Sequence, residues 1–337
     1  MSWLEQAVRR YEHRRWAAEP NRRASPFAWG LEHIGGRRDE PDPRGFLREW
    51  AAATLARSGE WFAVTPAPDY RLDDGVLSFT SAVESPWPEN NTVYARFFPA
   101  RKSGPAVVIL PQWNARWEAQ EGICRWLNAL GITALKLSMP YHDRRTVEGR
   151  ERDNYLVGPN IGLTLQANRQ AVCDVRRCLR WLEQMGYRKL GVLGTSIGSA
   201  ISFITMCHDP AIRAGAYLHA STYFADVVST GMTTTHVWES LRPKVTVDEL
   251  RHYWAPISPF PYLERLRGTG QKFLLISGRY DPTFWFEFTE ELFSAIGNDG
   301  ILHERVVLPC GHYSLDQPPF KHIAGYRFGT FLFENLT

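Results

Sequence analysis

The sequence lacks the cysteine patterns that mark disulfide frameworks and zinc sites. Its five cysteines are an odd number, and no two of them have Cys-x-x-Cys spacing. Neither a set of disulfide bonds nor a structural metal is therefore predicted, and a reducing compartment is the natural setting. The first residues also contain no uninterrupted apolar stretch of the kind that a secretory signal requires. We therefore expect a cytoplasmic protein.

Charge bias and long apolar runs are scarce as well. The 39 basic and 36 acidic residues leave a formal net charge of +3, which is too small to indicate nucleic acid as the partner. No run approaches the ~18 consecutive apolar residues that span a bilayer. The sequence contains neither a glycine-rich phosphate loop nor repeated carboxylates, so neither a cofactor nor a metal is predicted. The expected partner is a small molecule, and the formation of a homo-oligomer is left open.

The 337 residues are enough for one large α/β domain with insertions. Residues 1–70 predict a helical extension, and its first helix is expected to pack on the body of the protein with a solvated basic face. Between 71 and 337, two antiparallel-type strands precede buried strands that alternate with helices. This order predicts a mostly parallel central sheet flanked by helices. Residues 222–267 contain no buried strand and predict an inserted helical cap.

The predicted elements have these bounds. Strands are expected at 71–83, 92–99, 106–110, 134–139, 190–194, 214–219, 272–277 and 305–308. Helices are expected at 46–56, 118–130, 164–185, 198–208, 285–296 and 320–336.

The segment KLGVLGTSIGSA, from Lys189 to Ala200, directs the search for chemistry. An apolar run typical of a buried strand leads into Gly-x-Ser-x-Gly, with Ser196 at its centre. If the strand turns abruptly into a helix, the serine takes strained backbone angles, and its neighbours two positions away must be small. The serine hydroxyl would then stand at the tip of the turn, beside the N–H groups of the helix terminus.

Two further polar residues follow later strands. Asp281 in SGRYDP follows the strand at 272–277, and His312 in PCGHYS follows the strand at 305–308. Chemistry in a parallel sheet collects beyond the carboxyl ends of the strands. A serine hydroxyl needs an imidazole to take its proton, and the imidazole needs a carboxylate to fix its tautomer. We therefore predict Ser196 as nucleophile, His312 as general base and then acid, and Asp281 as the orienting carboxylate.

The chain resembles the α/β-hydrolase superfamily over roughly residues 70–337. The resemblance rests on three motifs in this order: the elbow GTSIG, the acid of SGRYDP and the late histidine of PCGHYS. The resemblance is to its bacterial serine esterase and dienelactone-hydrolase-like branches with a helical cap. It implies an α/β-hydrolase fold and hydrolysis of a carboxylic ester through an acyl-enzyme. An acyltransferase, an amide or thioester hydrolase, and a catalytically silent binding protein of the same fold stay as alternatives.

Each assignment has a competitor. Asp226 lies one strand earlier than Asp281 and is the alternative acid. His142 and His219 also follow strands and are alternative bases, although neither has the late position that the base requires. Cys310 is expected to be a packed neighbour of the base rather than a nucleophile.

The acyl-transfer intermediate carries a negative oxygen that needs two N–H donors. The backbone N–H of Ile197, directly after the nucleophile, is predicted to be one of them. The second comes from the loop after the strand at 106–110, where the superfamily usually has a His-Gly pair. This sequence has Pro111, which lacks an N–H, so that Trp113 is the preferred donor and Gln112 is close behind.

The substrate is expected to lie under an aromatic roof, which favours an uncharged and partly hydrophobic acyl or alcohol group. The residues predicted to contact it are Asn114, Tyr141, His142, Tyr223 and Trp285. For the loop MPYHDRR, a surface ion-pair cluster of Asp143, Arg144 and Arg145 is the alternative.

Overall fold

A nine-stranded sheet organises the protein, whose computed structural model describes residues 2–19, 22–100, 104–149, 155–298 and 300–337. The strand order across the sheet is β1-β2-β3-β5-β4-β6-β7-β8-β9. The strands are β1 Arg71–Asp73, β2 Val76–Thr80, β3 Thr92–Phe98, β4 Pro105–Leu110, β5 Thr133–Leu137, β6 Lys189–Thr195, β7 Ile212–Leu218, β8 Lys272–Gly278 and β9 His303–Leu308.

The sheet begins antiparallel and continues parallel. The pairs β1/β2, β2/β3 and β3/β5 are antiparallel, whereas all neighbours from β5 to β9 are parallel. This arrangement confirms the predicted fold class. The carboxyl ends of the parallel strands all meet at one edge, so side chains that follow them are neighbours in space.

The expectation of one strand over 71–83 was wrong. The structure has a hairpin there, in which Asp73 pairs with Val76 around a two-residue turn at Asp74 and Gly75. Both turn residues have positive φ, 44° and 71°. Asp-Gly is a strong signal for such a turn. The alternation of apolar residues continues after the turn, so the sequence pattern predicted one strand instead of two.

The parallel strands separate two hydrophobic cores. Val107 and Ile109 of β4 pack in the core that contains the last helix of the chain, whereas Val108 and Leu110 pack in the opposite core. This division follows from the period of two in a strand, because successive side chains point to opposite faces. Both faces are covered, which explains why the strand PAVVIL is apolar throughout and fully buried.

Eleven α-helices are present in the described part of the chain. They are α1 Trp3–Ala17, α2 Pro43–Ala56, α3 Ser58–Trp61, α4 Glu121–Ala129, α5 Ile161–Gln184, α6 Ile197–His208, α7 Phe224–Thr230, α8 Thr235–Leu241, α9 Val247–Tyr253, α10 Phe286–Asn298 and α11 Phe320–Leu336. None of these helices is both long enough and apolar enough to cross a membrane.

Two helical segments lie outside the alternating pattern. The N-terminal extension carries α1 to α3, and the segment between β7 and β8 carries α7 to α9. Helix α2 packs against α9, and α1 packs against the short helical turn Ser314–Asp316 that follows β9. The extension therefore contacts both the inserted segment and the loop that contains His312.

Arg145 is buried, and the alternative that it belongs to a surface ion-pair cluster was wrong. Its side chain is 0% exposed, and its Nη1 lies 2.9 Å from Oδ2 of Asp174 on α5, which is also 0% exposed. The guanidinium also donates hydrogen bonds to the backbone oxygens of Asn90 and Ser138. Arg144, in contrast, is exposed. The loop after β5 is therefore anchored by a buried side chain.

We expect Arg145→Met to lower the free energy of unfolding by about 3–5 kcal/mol, because it leaves the Asp174 carboxylate buried without its cation. Arg144→Met is the matched control and should cost less than about 1 kcal/mol, since its guanidinium only stacks at the surface on Trp117 and Tyr94. Urea unfolding followed by circular dichroism measures both. Equal losses in the two variants would contradict the importance of the buried pair.

Candidate active site

Ser196 occupies the abrupt turn between β6 and α6. Its backbone has φ 57° and ψ −123°, and its N–H donates to the backbone oxygen of Leu218. A Cβ on Gly194 would collide with the backbone of Gly198, and a Cβ on Gly198 would collide with the backbone oxygen of Leu110. The two glycines of GTSIG are therefore required by close backbone approach. The strain at Ser196, of the order of 1–3 kcal/mol, is held by this packing.

Asp281 and His312 lie together beyond β8 and β9. The Asp281 side chain is 1% exposed, and its Oδ1 accepts the backbone N–H groups of Thr283 at 2.7 Å and Phe284 at 2.9 Å. Its Oδ2 lies 3.1 Å from Nδ1 of His312. The Nδ1–H of His312 donates to this carboxylate, so Nε2 is left to act on another group.

His219 approaches the same carboxylate oxygen from the end of β7. Its Nδ1 lies 2.7 Å from Oδ2 of Asp281, and its ring centroid is 4.5 Å from that of His312. Its backbone has a positive φ of 64°, which is uncommon outside glycine. Its place after a strand marked it as an alternative base, but no local sequence signal shows that two imidazoles share one oxygen.

The charges at this site set which group holds a proton. Burial alone would raise the pKa of Asp281, but the imidazoles of His312 and His219 outweigh it and hold the pKa well below its usual value. Burial alone would lower the pKa of His312, but the charge and hydrogen bond of Asp281 outweigh it, and the net pKa is raised above 6.5. Burial, joined by His312, lowers the pKa of His219 despite Asp281. Of the two imidazoles, His312 is therefore the one that takes a proton first.

Ser196 forms part of the wall of an apolar cavity of about 50 Å³. Four residues that the sequence predicts for the site line this cavity together: Ser196, Ile197, Trp113 and Tyr223. His219 lines it as well. The remaining walls come mainly from apolar side chains, among them Phe203, Tyr217, Phe224, Val228 and Leu292.

His142 anchors the loop after β4 through hydrogen bonds and does not line the cavity. The Nδ1–H of His142 donates to the backbone oxygen of Pro140 at 2.7 Å, and Nε2 accepts the backbone N–H of Asn114 at 2.8 Å. One donor and one acceptor on the ring require the neutral imidazole. On the other side, the Gln112 side chain accepts a hydrogen bond from Gln120. The Asn114 N–H is committed to His142, which leaves Trp113 and Gln112 as the candidates for the second oxyanion donor.

The structure places other predicted residues away from the cavity. Tyr141 is 2% exposed, and its ring packs against Trp87 and Tyr155. Trp285 is 44% exposed and stacks on Phe288. Neither Tyr141 nor Trp285 is among the described residues that line the cavity.

The two other competitors have different surroundings. Asp226 on α7 accepts a hydrogen bond from Arg251 at 2.6 Å. Burial raises the pKa of the Cys310 thiol to about 12, which keeps it in the unreactive protonated form. All five cysteines are buried and free.

The atoms that could bind a metal in the described residues belong to His219, Asp281 and His312, and these atoms lie within 4.8 Å of one another. Both histidines direct Nδ1 at the same carboxylate oxygen. The His312 contact is a hydrogen bond and the His219 contact is a close approach of an imidazole to a carboxylate, and we assign no metal to this group.

Comparison with solved structures identifies the architecture. Acetyl xylan esterase 1 from Thermoanaerobacterium sp. JW/SL YS485 superposes with a TM-score of 0.63 at 16% identity, covering 87% of this chain and 98% of the other. An esterase from Pyrococcus furiosus gives 0.55 at 16% identity, over 80% and 92% of the two chains. An α/β-hydrolase from Penicillium sp. sh18 gives 0.55 at 14% identity, over 77% and 98%. The chain has the α/β-hydrolase fold.

No protein-family model matches the sequence, and neither does any curated protein. The likeness therefore lies in three dimensions. In this α/β-hydrolase fold the candidate residues follow neighbouring strands: Ser196 follows β6, His219 follows β7, Asp281 follows β8 and His312 follows β9. Strand order alone brings these four positions to one edge of the sheet.

We expect Asp281→Asn to lower the pKa of His312, because it removes the negative charge that favours the imidazolium and leaves the burial that opposes it. In the wild type the ring should titrate above 6.5, and in the variant its midpoint should move to lower pH. Nuclear magnetic resonance of the histidine ring carbons measures this. Asp226→Asn, at the other buried candidate acid, is the matched control and should leave the midpoint unchanged. An unmoved midpoint in Asp281→Asn would contradict the coupling.

Proposed function

We propose that this protein is a serine hydrolase that cleaves a carboxylic ester through an acyl-enzyme. Ser196 is the nucleophile, His312 the general base and then acid, and Asp281 the orienting carboxylate. The observation that carries the proposal is the contact between Nδ1 of His312 and Oδ2 of Asp281 at the sheet edge where Ser196 stands on a positive-φ elbow.

The reaction follows from the roles of these groups. Ser196 Oγ attacks the ester carbonyl carbon while Nε2 of His312 takes the hydroxyl proton, and Asp281 stays ionised. The carbonyl π bond opens to an oxyanion, which then re-forms the carbonyl and expels the alkoxide with the proton from His312. Water repeats the two steps on the acyl-enzyme, releases the acid and restores Ser196.

The oxyanion needs preorganised donors. The N–H of Ile197 stands at the first position of α6, where no carbonyl of the preceding turn can accept it within the helix. Trp113 or Gln112 supplies the second N–H from the loop after β4. That loop is anchored by His142 and Gln120, which restricts its motion.

The cavity supports a short acyl group as the substrate portion beside Ser196. A cavity needs a volume of about 10–15 Å³ to hold one water molecule. The cavity beside Ser196, with about 50 Å³, therefore accommodates a few non-hydrogen atoms. The walls are mostly apolar, which favours an uncharged group. The solved structures of similar fold include an acetyl xylan esterase, and this agrees with a small acyl group.

We expect Ser196→Ala and His312→Ala each to lower ester hydrolysis by about 10⁴–10⁶-fold, and the double variant to lose little more, because the residues act as one unit. Hydrolysis of p-nitrophenyl acetate and labelling with a fluorophosphonate probe measure this. Ser202→Ala, at a buried serine of the same helix that bonds only to a backbone oxygen, is the control and should keep both signals. A wild type that is neither labelled nor active, or a labelled Ser196→Ala, would refute the proposal.

We expect kcat/KM to fall by about tenfold or more between butyrate and octanoate esters, because the cavity holds only a short chain. Val228→Ala removes two methyl groups from the cavity wall and should move the preference toward longer chains. Val175→Ala, at a buried valine of α5, is the matched control and should leave the preference unchanged. A series of p-nitrophenyl esters measures the profile. An unaltered profile in Val228→Ala would show that the acyl group lies elsewhere.

A further inference from the structure

A carboxylate from the N-terminal extension reaches the loop that contains His312. Glu12 lies on α1, 300 residues before the catalytic histidine in the sequence, and it is 0% exposed. Its Oε2 accepts the backbone N–H of Tyr313 at 2.8 Å, and its Oε1 accepts that of Ser314 at 2.8 Å. Burial of a carboxylate is costly unless it is hydrogen-bonded. These two N–H groups satisfy both of its oxygens.

The loop is shaped around this carboxylate. A Cβ on Gly311 would lie 2.6 Å from the carboxyl carbon of Glu12, so a larger residue there would displace this carboxyl group. The N–H of Gly311 donates to Oγ of Ser314 at 2.7 Å, which closes the loop on itself. Both residues that adjoin His312 are therefore in contact with Glu12.

Arg22 connects the same loop to the wall of the cavity. Its Nη2 donates to the hydroxyl oxygen of Tyr313 at 2.6 Å and to Glu19 at 2.5 Å. Its Nη1 donates to the backbone oxygen of Thr233, which lines the cavity beside Ser196. The extension thus contacts the base loop and the substrate cavity at once.

These two residues also carry opposite charges toward His312. The charged or titratable groups around its ring are Asp281 from the loop after β8, His219 from the end of β7, the adjacent Tyr313, and Glu12 and Arg22 from the extension. Glu12 favours the protonated imidazolium, whereas Arg22 opposes it.

We propose that Glu12 and Arg22 are positioning residues for the base, so that the N-terminal extension holds the His312 loop where Nδ1 of His312 meets Asp281. This inference rests on the proposed function of the site. Neither residue touches the reacting atoms, and both act through His312.

The test combines ester kinetics with a pH profile. Glu12→Gln keeps the side-chain volume but places an NH₂ group against one of the two N–H donors. It should lower kcat by about 10–100-fold with KM within about twofold, because small displacements of a catalytic group cost rate rather than binding. The rising limb of kcat/KM should move to lower pH by about half a unit, because a negative charge is lost. Arg22→Gln should move the same limb to higher pH.

The controls separate positioning from general loss of structure. Glu12→Asp keeps the charge and should keep the pH limb, although its shorter side chain lowers kcat. Glu5→Gln, on the same helix, loses only a surface pair with Arg9 and should change neither quantity. Titration of Ser196 with a fluorophosphonate counts the folded enzyme in each sample.

The outcomes are distinct. A wild type without labelling or hydrolysis would overturn the proposed function itself. An active wild type in which Glu12→Gln changes only the melting temperature, with kcat per titrated site and the pH limb unmoved, would overturn the positioning role alone. If Glu12→Gln does not fold, Arg22→Gln decides: a limb that does not move to higher pH overturns the inference.

Discussion

The candidate site is organised by the Asp281 carboxylate, because burying this charge costs free energy unless hydrogen-bond donors surround it. A negative charge with 1% exposure persists only when its oxygens are satisfied, and here two backbone N–H groups bind Oδ1 while two imidazoles approach Oδ2. The imidazoles come from the ends of β7 and β9, the strands on either side of β8. The parallel order of these three strands is therefore the geometric condition for a carboxylate that stays ionised and orients a histidine.

Backbone strain marks the same edge of the sheet. Four residues other than glycine have positive φ just beyond four successive parallel strands in the sheet: Tyr141 after β5, Asn114 after β4, Ser196 after β6 and His219 after β7. Such conformations cost free energy and persist only where the surroundings enforce them. Their concentration at the carboxyl edge agrees with the hydrogen-bonded carboxylate in marking this edge as the candidate site, and the two observations are independent.

The parts of the structure that depend on local pattern were predictable. Buried apolar runs gave the parallel strands to within about two residues, and residues just after them gave Ser196, Asp281 and His312 as candidates. Partners that are remote in sequence and do not follow a strand of the sheet were not predictable. Glu12 lies in a helix for which a solvated basic face was predicted, and it is buried because a loop 300 residues later supplies two N–H groups. Arg145 is buried for the same kind of reason, since its partner Asp174 lies on α5.

The two sides of the proposed reaction centre are anchored by different parts of the chain. On the oxyanion side, His142 and the buried Arg145 fasten loops that belong to the sheet. On the base side, Glu12 fastens the His312 loop from outside the sheet. Helices at chain termini open at lower free energy than central strands do. Loosening of α1 would therefore release the proposed base while the elbow and the loop after β4 keep their geometry, so the proposed activity would be lost before the fold is.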